Sequence, residues 1–192
     1  MGLIKQELTS EQKEKAQDDL RVINLLNKLG KEKGLRIIIS GGYAVDGFLG
    51  EITRYHNDID IQIYGVDQDA ESVVQNLLDI MNQSFEIKEK ERKLYYRNFY
   101  ASSNDAILDI YYLQTKTNPL DHEKYIIRSD GSIDEQKFEE PKFGKIGNIS
   151  FEIQDPTWEL KDKIYKREER GDLKRSEHEQ DIENLKQVLE KA

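Results

Sequence analysis

Asp58 and Asp60 lie in HNDIDIQIYG, residues 56–65, a run whose other members alternate like a strand. Strand side chains repeat every two residues, so both carboxylates share one face and Ile59, Ile61 and Ile63 share the other. Like charges at neighbouring same-face positions repel, and folding alone does not require them. The pair therefore either faces water or holds a hard divalent cation such as magnesium, which takes carboxylate oxygen. A third acid, Asp109, sits in AILDIYYL, residues 106–113, among Ala106, Ile107, Leu108, Ile110 and Leu113. That strand reads as buried on both faces, where a lone carboxylate must be at an edge, paired or metal-bound. If the two strands are neighbours the three acids converge. Such a cluster can hold two cations about 3.5–4 Å apart, which align a nucleotide's phosphates and activate a hydroxyl. One of its carboxylates can also take the hydroxyl's proton.

Upstream, ISGGYAVD places Gly41 and Gly42 between an apolar run and a helical pattern. Paired glycines admit a ligand close to the backbone, and a helix start offers free N–H donors to phosphate. Alone, the same residues fit a plain tight turn.

The elements that must position these residues follow from periodicity. Leu20, Ile23, Leu25, Leu26 and Leu29 predict a helix over about 9–31, capped by Thr9 or Ser10, with Gly30 and Gly34 punctuating its end. LRIIIS predicts a strand and YAVDGFLG a short helix. Residues 69–83 predict a helix through Val73, Val74, Leu77, Leu78 and Met81, with Asp69 as its cap. FEIKEKE and LYYRNFYA predict a hairpin. From Gln114 to Lys145 the chain reads as an exposed, partly irregular excursion with a short pairing around KYIIRSDGSI. GNISFEIQ predicts a late strand, DPTWELKDKIYKREER a helix with Pro156 in its first turn, and residues 176–191 a final amphipathic helix. The aromatic residues Tyr95, Tyr96, Phe99, Tyr100, Tyr111 and Tyr112 divide between two strand faces, one packing the core and the other available to line a pocket. This pattern predicts one α+β domain over 1–192, with a core at about 10–154 and a C-terminal helical part at about 155–192.

Composition narrows the function. Of 192 residues, 36% are hydrophobic and 35% charged, so the apolar ones must be concentrated on particular faces. A formal net charge of -9 argues against broad binding to nucleic acid or an anionic membrane, and leaves room for a local basic pocket. There are no cysteines, which excludes disulfides and cysteine-held zinc. No apolar run is long enough for a signal peptide or a membrane span, so a cytoplasmic protein is expected; its oligomeric state is left between monomer and homodimer.

GGYAVDGFLGEITRYHNDIDIQI resembles the signature of the antibiotic nucleotidyltransferases of the polymerase-beta-like superfamily, which modify lincosamides and aminoglycosides. The matching positions are Gly41, Gly42, Tyr43, Asp46, Leu49, Gly50, Arg54, His56, Asp58 and Asp60. The resemblance is sharp over 40–64 and looser elsewhere between 12 and 190. It implies a nucleotidyltransferase fold, a mixed sheet flanked by helices with further helices at the C-terminus. It also implies magnesium-dependent transfer of a nucleoside monophosphate, AMP from ATP, to a small-molecule hydroxyl. Asp58 and Asp60 would be metal ligands, with Asp109 as third ligand or general base. Ser40, Gly41 and Gly42 would cradle the triphosphate, and Arg54 would bind phosphate or brace the acids. His56 would pack or hydrogen-bond to position the strand, and Asp46 would organise the turn. Lys161, Lys163 and Lys166 lie where a nucleotide-facing lysine could arise, although a solvated helix face is the plainer reading for most of them. Two departures are Tyr43 in place of Trp, and Tyr111 where lincosamide enzymes tend to carry His; the second bears on the acceptor pocket. A non-catalytic nucleotide-binding or antitoxin-like module of the same fold would show eroded acids or glycines, and here they are intact.

Overall fold

The computed structural model describes residues 2–65, 70–93, 96–104, 106–117, 124–127, 133–137, 140–169 and 176–190. In chain order the elements are α1 (Ser10–Lys33), β1 (Arg36–Ser40), α2 (Gly41–Leu49), β2 (Ile59–Gly65), α3 (Ala70–Met81), β3 (Glu86–Lys93) and β4 (Tyr96–Ser102). They continue with β5 (Ile107–Thr117), β6 (Lys124–Ile127), β7 (Ile133–Lys137), β8 (Lys142–Ile146), β9 (Ile149–Ile153), α4 (Pro156–Glu169) and α5 (Ser176–Leu189).

The β-branched runs RIIIS and IDIQIYG pair antiparallel as β1 and β2. The sheet order is β3-β4-β5-β2-β1-β9-β8, with β6 and β7 paired beyond the end of β5. It is mixed: β2 runs parallel to β5 and β1 parallel to β9, while the remaining neighbours are antiparallel.

Period-two alternation sorts the two faces. Ile37 and Ile39, Ile59, Ile61 and Ile63, Leu108 and Ile110, Phe99, and Ile153 join Leu20, Ile23 and Leu26 of α1 and Leu77, Leu78 and Met81 of α3 in one core. The other face carries Ser40, Asp60 and Asp109 in one row, because Ser40 is the register partner of Asp60 and Asp60 of Asp109. Tyr100, opposite Asp109 on β4, extends the row. The expectation that the Asp109 strand is buried on both faces is therefore corrected. Leu108, Ile110 and Tyr112 are buried, whereas Ile107, Asp109, Tyr111 and Leu113 are only partly covered.

Helix α1 starts at a capping box in which Thr9 and Gln12 bond reciprocally; Gly30 lies within its last turns and Gly34 caps its end. The excursion between Gln114 and Lys145 holds more regular structure than its polarity suggests: β5 runs on to Thr117, and Lys142–Ile146 is a full strand, β8. The expected pairing around KYIIRSDGSI is present as Ile127 against Ile133. The expected cap Asp69 lies outside the described residues.

Ile59 and Ile61 have relative exposures of 0% and 1%. Ile61→Ala should cost about 3 kcal/mol through lost burial and the cavity left behind, read as a lower urea midpoint with an unchanged slope.

Candidate active site

Strand β1 ends at Ser40 and the chain turns directly into α2. The turn needs glycine for two reasons. Gly41 has a φ of 68°, and a Cβ there would stand 2.0 Å from Asp60 Oδ2. A Cβ on Gly42 would stand 2.2 Å from His56 Nδ1 and 2.7 Å from Arg54 Nη2. The glycine pair thus lets an acid and two basic side chains press against the backbone at a helix start.

The loop between α2 and β2 is held by Asp46. Its Oδ1 accepts from the Thr53 amide at 3.1 Å and from the Thr53 hydroxyl at 2.6 Å, and its Oδ2 lies 2.6 Å from His56 Nε2. The His56 ring packs on Tyr43 with centroids 4.4 Å apart, and the Tyr43 hydroxyl donates to Asp19 at 2.8 Å. His56 and Asp46 are therefore buried organisers of the loop. The phenol at position 43 uses its own polar end to bind α1.

The cleft beside this turn has a volume of about 220 Å³ and is lined by residues that include Gly41, Gly42, Asp58, Asp60, Lys163 and Lys166. Arg54 also lines it, and its guanidinium reaches across to α5. Its Nε and Nη2 donate to Asp181 of α5 at 2.9 and 2.7 Å. Lys163 Nζ meets the same carboxylate at 2.9 Å with 5% of its side chain exposed, so the solvated-helix reading fails at Lys163. Lys166 also turns to the cleft and pairs with Asp162 at 2.5 Å, while Lys161 is exposed beside the Trp158 ring. Burial works against the Asp181 carboxylate, yet Arg54 and Lys163 hold its pKa below the usual range. Burial also opposes the Lys166 ammonium, yet Asp162, Glu159 and Asp60 hold its pKa above the usual range.

The acids carry the tension that their spacing forecasts. Burial, Asp58 and Asp109 push the Asp60 carboxyl up to about 6, against the opposing charges of Lys166 and Lys163. Asp109 is held by three donors: Lys90 Nζ at 3.3 Å and Asn98 Nδ2 at 3.0 Å on Oδ1, and the Tyr111 hydroxyl at 2.9 Å on Oδ2. Asp60 and Asp109 are register partners, yet among the described residues no three acidic or histidine side chains are drawn together as tightly as a metal ion would hold them. Bare carboxylates repel, and Asp109 turns to neighbouring donors instead.

Two participants were not foreseen. Glu159 of α4 is 2% exposed, and its Oε1 accepts from the Gly41 amide at 2.6 Å, engaging a backbone donor expected to face phosphate. Burial raises its carboxyl to about 7, against the charge of Lys163 and the Gly41 hydrogen bond. Asp181 is the other. The available signal was placement: Asp181 adjoins the apolar position Ile182, and Glu159 and Lys163 are spaced i, i+4 along one helix stripe.

Residues 21–152 match the aminoglycoside-2''-adenylyltransferase family. The chain belongs to this family. It is thus an enzyme of the antibiotic nucleotidyltransferases, not a non-catalytic module. The fold agrees. The crystal structure of the lincosamide antibiotic adenylyltransferase LnuA with lincomycin bound aligns with a TM-score of 0.61 at 18% identity, covering 95% of this chain and 99% of that one. The solution structure of the antibiotic-resistance factor ANT(2'')-Ia aligns with a TM-score of 0.61 at 19% identity, covering 92% and 85%. ANT(2'')-Ia in complex with adenylyl-2''-tobramycin gives 0.57 at 19% identity, covering 91% and 90%. No relative among curated proteins matches the sequence. Among the described residues no helix is long and apolar enough to cross a membrane.

Two stability outcomes follow for this nucleotidyltransferase. Asp181→Asn leaves Arg54 and Lys163 buried without their counter-charge and should cost about 3 kcal/mol by chemical denaturation. Glu159 binds more protons folded than unfolded between its ordinary pKa of 4.5 and about 7, so its contribution to stability declines as pH rises through that window. Glu159→Gln does not titrate. Relative to wild type it should gain up to about 3 kcal/mol between pH 4.5 and 8, read from paired denaturation curves.

Proposed function

We propose that the cleft transfers AMP from ATP to a hydroxyl of a small-molecule antibiotic, with pyrophosphate leaving. The observation that carries this reading is the single row of Ser40, Asp60 and Asp109 across three adjacent strands, set against the Gly41–Gly42 turn in a chain of this family.

Asp58 and Asp60 offer carboxylate oxygens of the kind magnesium takes, and the raised pKa of Asp60 reflects burial first and then the like charges of Asp58 and Asp109, a charge crowding that a bound cation relieves. Magnesium held there would supply neutralisation of the phosphate charge and polarisation of the α-phosphate. The residues themselves position and balance charge. Lys163 and Lys166 line the cleft within electrostatic reach of Asp60, which suits the polyphosphate of a nucleotide. Ser40 and Gly42 form the rest of the phosphate-facing turn, and Gly41 joins them when Glu159 yields its amide. Arg54 acts mainly as the buried partner of Asp181, a brace between loop and α5.

Asp109 is assigned to the acceptor. Its two oxygens lie among Asn98, Tyr111 and Lys90, donors that orient a carboxylate for one incoming hydroxyl. The acceptor oxygen forms its bond to the α-phosphorus as the bond to pyrophosphate breaks, and the hydroxyl proton passes to Asp109. Positioning and charge stabilisation supply most of the rate, since little covalent chemistry is asked of the protein. The protein is assigned to the cytoplasm, where ATP and magnesium are at hand.

Incubation with labelled ATP, magnesium and either lincomycin or tobramycin should give acceptor-dependent pyrophosphate release. Asp58→Ala, Asp60→Ala and Asp109→Ala should each lower the rate by roughly a hundredfold or more. Release that persists in Asp60→Ala, or that occurs without acceptor, sinks the reading.

A further inference from the structure

Lys90 brings a cation to Asp109 from β3, the edge of the sheet remote from β1 and α2. The β3–β4 register shifts between Glu89 and Glu91, which leaves Lys90 outside the ladder. A bulge of this kind re-aims one side chain, and here the ammonium lies 5.1 Å from the Tyr100 ring centroid and 3.3 Å from Asp109 Oδ1. Two of the other basic residues of this strand pair elsewhere: Lys88 with Glu86, and Arg92 with Glu89. Lys90 alone on β3 is turned to the row of acids among the described ion pairs.

A carboxylate beside an aromatic face is the combination that holds an alkylammonium group. In this chain both surfaces are already taken by its own ammonium. An acceptor that brings an amine to the same place must displace Lys90 or stand beside a like charge, and like-charge contact at a binding surface is a means of rejecting a ligand. Lys90 retains 47% side-chain exposure, so it meets an entering acceptor directly and can be replaced without opening the core.

We infer that Lys90 determines acceptor specificity: it occupies the ammonium position on Asp109 and Tyr100, and so selects acceptors whose reacting hydroxyl has no amine beside it. This rests on the transfer reading in that Asp109 is taken as the acceptor-facing acid.

The test is equilibrium titration calorimetry of the full chain with tobramycin, a polyamine, and with lincomycin, which carries far less positive charge, so that no turnover is needed. Lys90→Met should tighten tobramycin binding roughly three- to tenfold, and Lys90→Glu more, while lincomycin changes by less than about twofold. Lys90→Arg should keep the wild-type ratio, and added salt should shrink the difference. Thermal melts of each variant establish that it is folded. Equal shifts for both ligands, an unchanged tobramycin affinity, or no tobramycin binding by any variant overturns the inference. Wild-type protein that releases no pyrophosphate with either compound, while Lys90→Met still gains tobramycin affinity, removes the transfer reading and with it acceptor specificity, leaving only the exclusion of amines from Asp109 and Tyr100.

Discussion

A buried carboxylate, Asp181, with two cations upon it holds the helical side of the cleft together. It draws Arg54 from the loop before β2, Lys163 from α4 and its own helix α5 to one point. Each charge is costly to bury alone, and jointly they are tolerated because each supplies the other's missing solvent. The N-terminal segment reinforces this junction: Asn184 accepts from the Ile4 amide at 2.8 Å and donates to the Ile4 carbonyl at 2.9 Å. Helix α4 is thereby fixed over α2, which is what brings Glu159 to the Gly41 amide and Lys166 to the cleft.

That arrangement places opposite charges in layers. The β2 and β5 acids crowd one another on the sheet, and Lys163 and Lys166 of α4 face them from the helical side. Such a site is poorly optimised for stability, because burial disfavours the charged forms of Asp60 and Glu159 and raises both carboxyls. Groups that the fold leaves under electrostatic strain are suited to charged ligands, since a nucleotide and its cation relieve what the protein cannot.

Much of this was legible beforehand. The alternation of IDIQIYG specified the Ile59, Ile61 and Ile63 face, the capping pair specified the start of α1, and the glycines, the Asp58–Asp60 pair and Asp109 stood out by chemistry. Burial at Asp109 was misjudged because a continuous apolar run has the same composition whether one face or both are covered. Strand β8 was hidden because KFGKI pairs one edge of the sheet, where polar alternation resembles a loop. Which of Lys161, Lys163 and Lys166 turns inward was not legible, because a charge run on a helix usually faces solvent and the partner of Lys163 is 18 residues further along the chain.

The sequence by itself determined the core face of the sheet, the glycine turn, the acids and the family, because period, backbone freedom and residue chemistry are local properties. Only the tertiary structure decided that Arg54 serves Asp181, that Glu159 engages the Gly41 amide and that Lys90 sits on Asp109. Those pairings join residues far apart in the chain, and their geometry follows from strand order, a bulge and helix packing, none of which is fixed by any short stretch of residues.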